Sequence, residues 1–204
     1  EDFNIDIDLV EKKLKKTPKN KLPKIIIPVH FAGKPYDQKR LYNLSLKYKF
    51  KIIEDASHAI GALNDKQKVG NCKWSDVVVF SFHPVKIITT AEGGMALTND
   101  KKLEECIRRL RTHGITKDRS IMSPRSKDEI WNYQQIQLGF NYRMNDLQAA
   151  LGLNQMKRLD NYVSRRHEIA NYYNIKFSKL PIVTPWQLPK SFSSYHLYPI
   201  CTKD

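Results

Sequence analysis

Short apolar runs that alternate with a helical pattern constrain the fold of this chain more than any other feature. Residues 25–29 and 50–53 are apolar runs of strand length, and between them residues 37–48 carry leucine and tyrosine at helical spacing after an aspartate that can cap a helix. A strand, a helix and a second strand in this order are typical of an α/β sheet with parallel strands and right-handed crossovers. Residues 77–82 and 94–98 add two strands, so the sequence predicts a mostly parallel sheet with flanking helices.

The second half of the chain predicts two helical regions and one long loop. A helix is expected from residue 100 to about residue 112, with Leu103, Ile107 and Leu110 facing inward. Residues 113–135 lack periodicity and are predicted to form a loop. Asn145 is predicted to cap a helix that runs through Leu159 and continues or kinks through Tyr173.

The character of the chain changes between residues 181 and 189, which is typical of passage into a second domain. A length of 204 residues suits one domain and part of another. We therefore predict that residues 1–160 belong to a large domain, and that residues 161–204 form a connecting helix and the start of a small C-terminal domain.

Composition excludes several classes of protein. The 41% of hydrophobic residues is typical of a globular chain, and no apolar run is long enough to span a bilayer. Three cysteines without a Cys-x-x-Cys pair predict neither a disulfide framework nor a zinc site, and they fit a reducing compartment such as the cytoplasm. A net charge of +14 leaves a nucleic-acid binder open as an alternative, but the lysines are scattered, so a basic surface without a nucleic-acid partner is favoured.

Candidate catalytic groups follow two neighbouring strands. Asp55 ends one apolar run, and Lys86 lies in the loop after another. Ligands gather at the carboxyl ends of strands in open α/β sheets, so both side chains are expected at one site. An amine among apolar residues loses hydration and becomes reactive toward carbonyl groups, although a lone lysine can also reach from a strand end to water. A carboxylate that holds a protonated pyridine nitrogen completes the minimum equipment for pyridoxal phosphate.

Five motifs extend this pattern, and together they resemble the DegT/DnrJ/EryC1/StrS sugar aminotransferases, which are fold-type I enzymes that use pyridoxal phosphate. Within that family, the match is best to the UDP-4-amino-sugar transaminases of the pseudaminic acid type. The resemblance covers nearly all of the chain, in order and with few gaps. The motifs are Ile27-Pro28-Val29-His30-Phe31-Ala32-Gly33, Glu54-Asp55-Ala56-Ser57-His58, Ser81-Phe82-His83-Pro84-Val85-Lys86 with Glu92-Gly93-Gly94, Gly139-Phe140-Asn141-Tyr142-Arg143-Met144-Asn145-Asp146, and Ser194-Tyr195-His196-Leu197.

The resemblance implies an aspartate-aminotransferase-like large domain leading into a small C-terminal domain. It implies transfer of an amino group, with glutamate as the expected donor, to a nucleotide-linked keto-deoxysugar. It also implies a cytoplasmic homodimer with shared active sites and no membrane partner.

By the same resemblance, four residues bind the cofactor within one subunit. Lys86 would bond its aldehyde and later move a proton at the substrate carbon. Asp55 would hold the ring nitrogen protonated, and His58, where many relatives have glutamine, would touch the ring hydroxyl. Ser81 would donate its hydroxyl to the cofactor phosphate.

The remaining roles implied by the resemblance concern the partner subunit and the substrate. Asn141 lies just before a helix start, and in the family an asparagine of this loop reaches the phosphate bound by the neighbouring subunit. His83, Arg143 and His196 are candidate substrate-binding residues. No residue is expected to bind a metal.

Family members also carry a preceding segment with a phosphate-binding turn and a ring-stacking aromatic, and a following small domain. Neither is found in this sequence, so we interpret the chain as an internal fragment of a longer enzyme. A catalytically inactive binding module of the same fold is therefore one alternative. A pyridoxal-phosphate-dependent sugar dehydratase is another, although those relatives replace the lysine by histidine and Lys86 argues against it.

Overall fold

The structure is a computed structural model that describes residues 3–124, 126 and 128–203. Two pairs of parallel strands and one antiparallel pair build its main sheet, and helices pack on it. The helices are α1 (Ile7–Lys16), α2 (Gln38–Tyr48), α3 (Lys101–Leu110), α4 (Asp146–Met156) and α5 (Leu159–Phe177). The strands are β1 (Ile25–Ile26), β2 (Lys51–Asp55), β3 (Leu63–Asn64), β4 (Gln67–Lys68), β5 (Val77–Ser81), β6 (Gly94–Leu97), β7 (Ile115–Thr116), β8 (Gln134–Gln135), β9 (Ile182–Val183), β10 (Ser191–Phe192) and β11 (Cys201–Thr202).

The main sheet has the strand order β1, β2, β5, β6. The pairs β1–β2 and β2–β5 are parallel, and β6 runs antiparallel to β5, so the prediction of a mostly parallel sheet is confirmed. In the β2–β5 register, Asp55 lies opposite Val79. Because both strands end at the same edge, Asp55 and the loop after Ser81 emerge side by side.

One face of the sheet is buried by helices and by the segment after β2. Ile52 packs with Leu41 of α2 and with residues of α1, while Val78 packs with Val163 of α5. Ile52, Leu41 and Val78 are at most 1% exposed. Complete burial of such a side chain stabilises the fold by roughly 1.5–3 kcal/mol, so this face supplies much of the packing energy that holds β2 in place.

One face of β1 is exposed, although the apolar run within residues 24–31 predicts a buried strand. Ile25 and Ile27 are 49% and 60% exposed. Ile25 aligns with the exposed Lys51, whereas Ile26 aligns with the buried Ile52, so alternate side chains point away from α2. The ladder is also short, because Pro28 has no N–H to donate, and pairing resumes only as a bridge between Val29 and Asp55.

The region after Asn145 forms two helices with a break at residues 157–158. Asn145 caps α4 through a capping box: its side chain accepts from the Gln148 N–H at 2.9 Å, and the Gln148 side chain accepts from the Asn145 N–H at 3.0 Å. The predicted cap is thus present. Leu103, Ile107 and Leu110 of α3 are only half-buried. Ile107 borders a wide cleft between α3 and β6.

Replacing the cap tests this account of α4. Asn145→Ala removes the capping bond that the Asn145 side chain accepts from the Gln148 N–H, and we expect the free energy of unfolding to fall by about 1 kcal/mol. Urea denaturation followed by circular dichroism measures the change. Asn154→Ala, in the last turn of the same helix, is the control and should change stability by less than about 0.5 kcal/mol. Equal losses in the two variants would contradict the role of the cap.

Candidate active site

The loop after β5 presents Lys86 at the carboxyl edge of the sheet. The Lys86 N–H donates to the His83 carbonyl at 2.9 Å, and the Thr90 N–H donates to the Phe82 carbonyl at 3.0 Å, which folds the loop back toward β6. Ile87 and Ile88 of this loop are buried in the hydrophobic core and hold the loop in place. Lys86 is half-buried and has no ion-pair partner among the residues that the structure describes. Its amine is therefore available to a ligand.

Asp55 and Ser81 occupy equivalent places on the neighbouring strands. Asp55 aligns with Val79, and Ser81 is two residues farther along β5, so their side chains lie on the same face. The half-buried Asp55 carboxylate accepts the Ser57 N–H at 3.0 Å, and the Ser81 hydroxyl oxygen accepts the His83 N–H at 3.3 Å. Each keeps hydrogen-bonding capacity for another group.

Two imidazoles lie near each other and near Lys86, with 34° between their planes. The ring centroids of His58 and His196 are 4.5 Å apart. The Ala32 N–H donates to His58 Nδ1 at 3.3 Å, which assigns the proton of a neutral His58 to Nε2. Burial lowers the pKa of His58, and the positive charge of Lys86 lowers it further, while Asp55 acts in the opposite direction.

His196 is affected more strongly than His58. Burial lowers the pKa of His196 to about 4, and the charges of His58, Lys86 and Arg166 contribute in the same direction. Both imidazoles are therefore neutral at pH 7. Lys86 and Asp55 both affect the pKa of His58, and His58 and Lys86 affect the pKa of His196, so these four predicted site residues form one cluster.

The segment that carries His196 is attached to the turn after β1. The Ser194 N–H donates to the Gly33 carbonyl at 3.0 Å, and the Ser194 hydroxyl donates to the His58 carbonyl at 2.9 Å. Gly33 has a φ of +94°, and a Cβ there would lie 2.5 Å from the Ser194 oxygen. Only glycine permits this close approach.

Helix α5 holds the same segment from the other side. The Arg166 guanidinium donates to the carbonyls of Tyr195 and His196 at 3.0 and 3.2 Å. The His167 ring is within hydrogen-bonding distance of the Ser193 carbonyl, with 2.7 Å between Nε2 and the oxygen. Sequence reasoning missed these two α5 residues because nothing in the helical pattern distinguishes them from surface residues.

The remaining predicted residues lie outside the cluster. Asn141 and Arg143 are exposed on the strand-like segment beside the end of α3, where Asn141 bridges to Thr112 and Arg143 Nη2 lies 3.4 Å from His113 Nε2. His83 is exposed at the start of the Lys86 loop. None of these contacts of Asn141 and Arg143 joins them to Lys86.

Sequence reasoning also missed a buried polar group directly behind Asp55. Glu54 is 0% exposed, and its carboxylate contacts His30 and Gln38 of neighbouring elements. From the sequence, Asp55 is the carboxylate expected to need a cationic partner, yet Glu54 is the one that the fold buries completely. Period-two alternation along β2 separates the two acids onto opposite faces and could have identified this difference.

The cluster suits a ring that carries both an aldehyde and a basic nitrogen. Lys86 offers an unpaired amine, Asp55 a carboxylate with one backbone donor, and His58 an Nε2–H. Among the described residues, no group of histidine, cysteine or carboxylate side chains could hold a metal ion. No described helix is both long and apolar enough to cross a membrane.

Comparisons with known proteins identify the family and the relatives that this chain resembles. The profile of the DegT/DnrJ/EryC1/StrS aminotransferase family matches residues 1–204. A UDP-4-amino-4,6-dideoxy-N-acetyl-β-L-altrosamine transaminase from Campylobacter jejuni is 42% identical over 201 residues, which are 98% of this chain and 50% of that protein. A transaminase of the same name from Helicobacter pylori is 36% identical over 98% of this chain and 49% of its own length.

Solved structures show the same partial coverage. The aminotransferase PseC of Helicobacter pylori, involved in the biosynthesis of pseudaminic acid, superposes with a TM-score of 0.84 at 34% identity, covering 98% of this chain and 49% of that one. A sugar aminotransferase of Streptococcus pneumoniae, solved in its PLP form, has a TM-score of 0.82 at 28% identity, covering 98% and 52%. The chain thus spans about half the length of the relatives that it matches.

The lowered pKa of His196 makes stability depend on pH. Between about 4 and the ordinary value of 6.5, the unfolded chain binds more protons at this residue than the folded chain, so stability is complete above pH 6.5 and falls as pH decreases toward 4. One pKa unit is about 1.4 kcal/mol, and with allowance for the partial exposure of His196 we expect a loss of about 1–2 kcal/mol.

His196→Gln should flatten this part of the pH profile, as measured by urea denaturation at several pH values. His83→Gln is the control, because His83 is exposed and should leave the slope unchanged. An NMR titration that gave His196 a pKa near 6.5 would contradict the assignment.

Proposed function

The chain belongs to the DegT/DnrJ/EryC1/StrS aminotransferase family, and we propose that it provides the lysine-bearing part of a pyridoxal-phosphate-dependent sugar aminotransferase. The reaction would move an amino group from a donor, which we propose is glutamate, to a keto group of a nucleotide-linked deoxysugar. The observation that carries the proposal is the convergence of Lys86, Asp55 and His58 at the carboxyl ends of β2 and β5.

Pyridoxal phosphate, when bound, supplies an aldehyde that bonds to amines and a protonated ring that accepts electrons from the substrate carbon. Asp55 would keep the ring nitrogen protonated, because a carboxylate favours the cationic form of a neighbouring base. The Nε2–H of His58 would donate to the ring hydroxyl, since Nδ1 is already occupied by the Ala32 N–H. The Ser81 hydroxyl would donate to the phosphate.

Lys86 would have two roles. Its amine would hold the cofactor at the aldehyde carbon, and the free amine would move a proton at the substrate carbon. A carboxylate bound to the ammonium would oppose both roles by favouring the charged form. The absence of an ion-pair partner for Lys86 among the described residues and the neutral imidazoles beside it support this assignment.

We propose that the acceptor substrate is a UDP-linked 4-keto-deoxysugar. The names of the transaminases from Campylobacter jejuni and Helicobacter pylori support this substrate class, as does the net charge of +14, which suits a nucleotide diphosphate. His83, Arg143 and His196 are the proposed substrate-binding residues. His196 borders the cluster and is the most direct candidate, whereas Arg143 would have to act from another subunit.

We further propose a homodimer with shared sites, located in the cytoplasm. Several apolar side chains within about a dozen residues of Asn141 in the sequence are exposed, which supports an interface there. They are Leu138, Phe140, Tyr142, Leu147, Leu151 and Leu153. In such a dimer Asn141 would reach the cofactor phosphate of the neighbouring subunit. Residues 1–160 would belong to the cofactor-binding domain, and residues 161–204 would lead into the second domain.

Loss of the amine tests the cofactor assignment. The protein incubated with pyridoxal phosphate should develop a visible absorbance band that Lys86→Ala abolishes, because Lys86 would supply the amine that bonds to the aldehyde. Lys51→Ala is the matched control, since Lys51 pairs with Asp76 at the far end of β2 and should leave the band intact. An unchanged spectrum in Lys86→Ala would refute the proposal.

Mixing two inactive variants tests the shared site. Lys86→Ala and Asn141→Ala homodimers should each have little transaminase activity, and subunit exchange between them should restore one intact site in each mixed dimer. Equal amounts would regain about a quarter of the unsubstituted sites, because half of the dimers are mixed. If the mixture stays as inactive as its components, Asn141 does not act across an interface.

A further inference from the structure

A buried polar cluster lies on the side of β2 opposite to Asp55. Glu54 and His30 are both 0% exposed, and 2.7 Å separates His30 Nε2 from Glu54 Oε2. The Gln38 amide donates to both Glu54 oxygens at 2.9 and 2.8 Å. Asn64 donates to Gln38 Oε1 at 2.8 Å, which fixes the orientation of that amide. The buried Glu54 carboxylate thus contacts side chains from two other segments of the chain.

Glu54 is ionised in this environment. Burial raises the pKa of Glu54, but the hydrogen bond and charge of His30 and the hydrogen bond of Gln38 outweigh it, so the net pKa is lower than usual. An ionised, fully buried carboxylate is a poor source of stability, because the desolvation penalty offsets much of the attraction. A contribution to stability alone therefore does not account for the cluster.

The cluster links the end of β2, which carries Asp55, to the segment that follows β1. The Asp55 N–H donates to the Pro28 carbonyl at 2.9 Å, and the His30 N–H donates to the Asp55 carbonyl at 3.0 Å. The side-chain contact between His30 and Glu54 links the same two segments, one residue before Asp55. Backbone and side-chain bonds therefore fix the direction in which Asp55 leaves β2.

The same histidine also begins the turn that contacts His58. The Gly33 N–H donates to the His30 carbonyl at 3.2 Å, which closes a tight turn over Phe31 and Ala32. The Ala32 N–H then donates to His58 Nδ1. A displacement of His30 would therefore move the donor that sets the tautomer of His58.

We propose that Glu54, His30 and Gln38 form a positioning cluster that holds Asp55 and His58 in the geometry needed by the cofactor. None of the three touches the reacting atoms in this account, so they are positioning residues. The consequence for the cofactor rests on the proposed function, whereas the consequence for the strand ends does not.

Hydrogen exchange of the protein without cofactor tests the positioning directly. In Glu54→Gln, the Asp55 and His30 amides should exchange at least about tenfold faster, because their cross-strand bonds lose the side-chain contact that supports them. The Ala56 amide, which donates to the Val79 carbonyl on the other side of β2, should change by less than about threefold. The ratio between these amides separates a local effect from global destabilisation.

Two further variants make the test robust. Asp37→Ala removes the cap of α2, where Asp37 accepts the Arg40 N–H, and destabilises the helix that carries Gln38 without touching Glu54. In this control the Asp55, His30 and Ala56 amides should accelerate together. Gln38→Met retains the charge and volume but removes an amide donor, so it should reproduce the Glu54→Gln pattern at smaller amplitude and serves if Glu54→Gln fails to fold.

The cofactor provides the second readout. Glu54→Gln should weaken binding of pyridoxal phosphate by about tenfold, measured by titration of the visible band, whereas Asp37→Ala should stay within about twofold of the unsubstituted protein. Equal acceleration of the three amides in Glu54→Gln and in Gln38→Met would overturn the inference. Absence of the band from the unsubstituted protein would contradict the proposed function, and the exchange pattern would still decide the inference.

Discussion

The parallel pairing of β2 with β5 is the constraint on which the rest of the structure depends. It aligns Asp55 with Val79 and brings Ser81 and the Lys86 loop to the same edge of the sheet. Burial of Ile52 and Val78 on the opposite face fixes the register, because a slip by one residue would turn these side chains outward. The position of the candidate site is thus a consequence of packing on the far side of the sheet.

Two adjacent carboxylates on β2 have different environments for the same reason. Alternation along the strand points Glu54 into the protein, where His30 and Gln38 meet its charge, and leaves Asp55 half-buried at the open face with one backbone donor. The first is fully satisfied within the chain. Asp55 keeps the capacity to bind a cationic ring. Glu54 therefore suits a role in holding the strand, and Asp55 suits a role in binding a ligand.

Much of the fold was predictable because its signals are local. The β-α-β order, the Asp37 and Asn145 caps and the loop that carries Lys86 follow from periodicity and capping chemistry within a few residues. The exposure of Ile25 and Ile27 was not predictable, because an apolar strand does not reveal which of its faces a helix will cover. The strands β1, β2, β5 and β6 of the main sheet were predictable from the apolar runs alone.

The site was predictable to a smaller extent. The residues themselves singled out Lys86 and Asp55, and the family resemblance added His58, Ser81 and Asn141. The pairing of His30 with Glu54 and the hold of Arg166 on residues 195 and 196 depend on contacts between residues at least 24 positions apart. No single-sequence pattern encodes such contacts, so they emerged only from the three-dimensional arrangement.

The most direct test of the account is chemical trapping of the amine. The protein is incubated with pyridoxal phosphate, reduced with borohydride, digested and mapped by mass spectrometry. The account predicts that the reduced cofactor is attached to Lys86, with surface lysines such as Lys51 unmodified at stoichiometric cofactor. Attachment spread over surface lysines, or concentrated at any residue other than Lys86, would contradict the central claim.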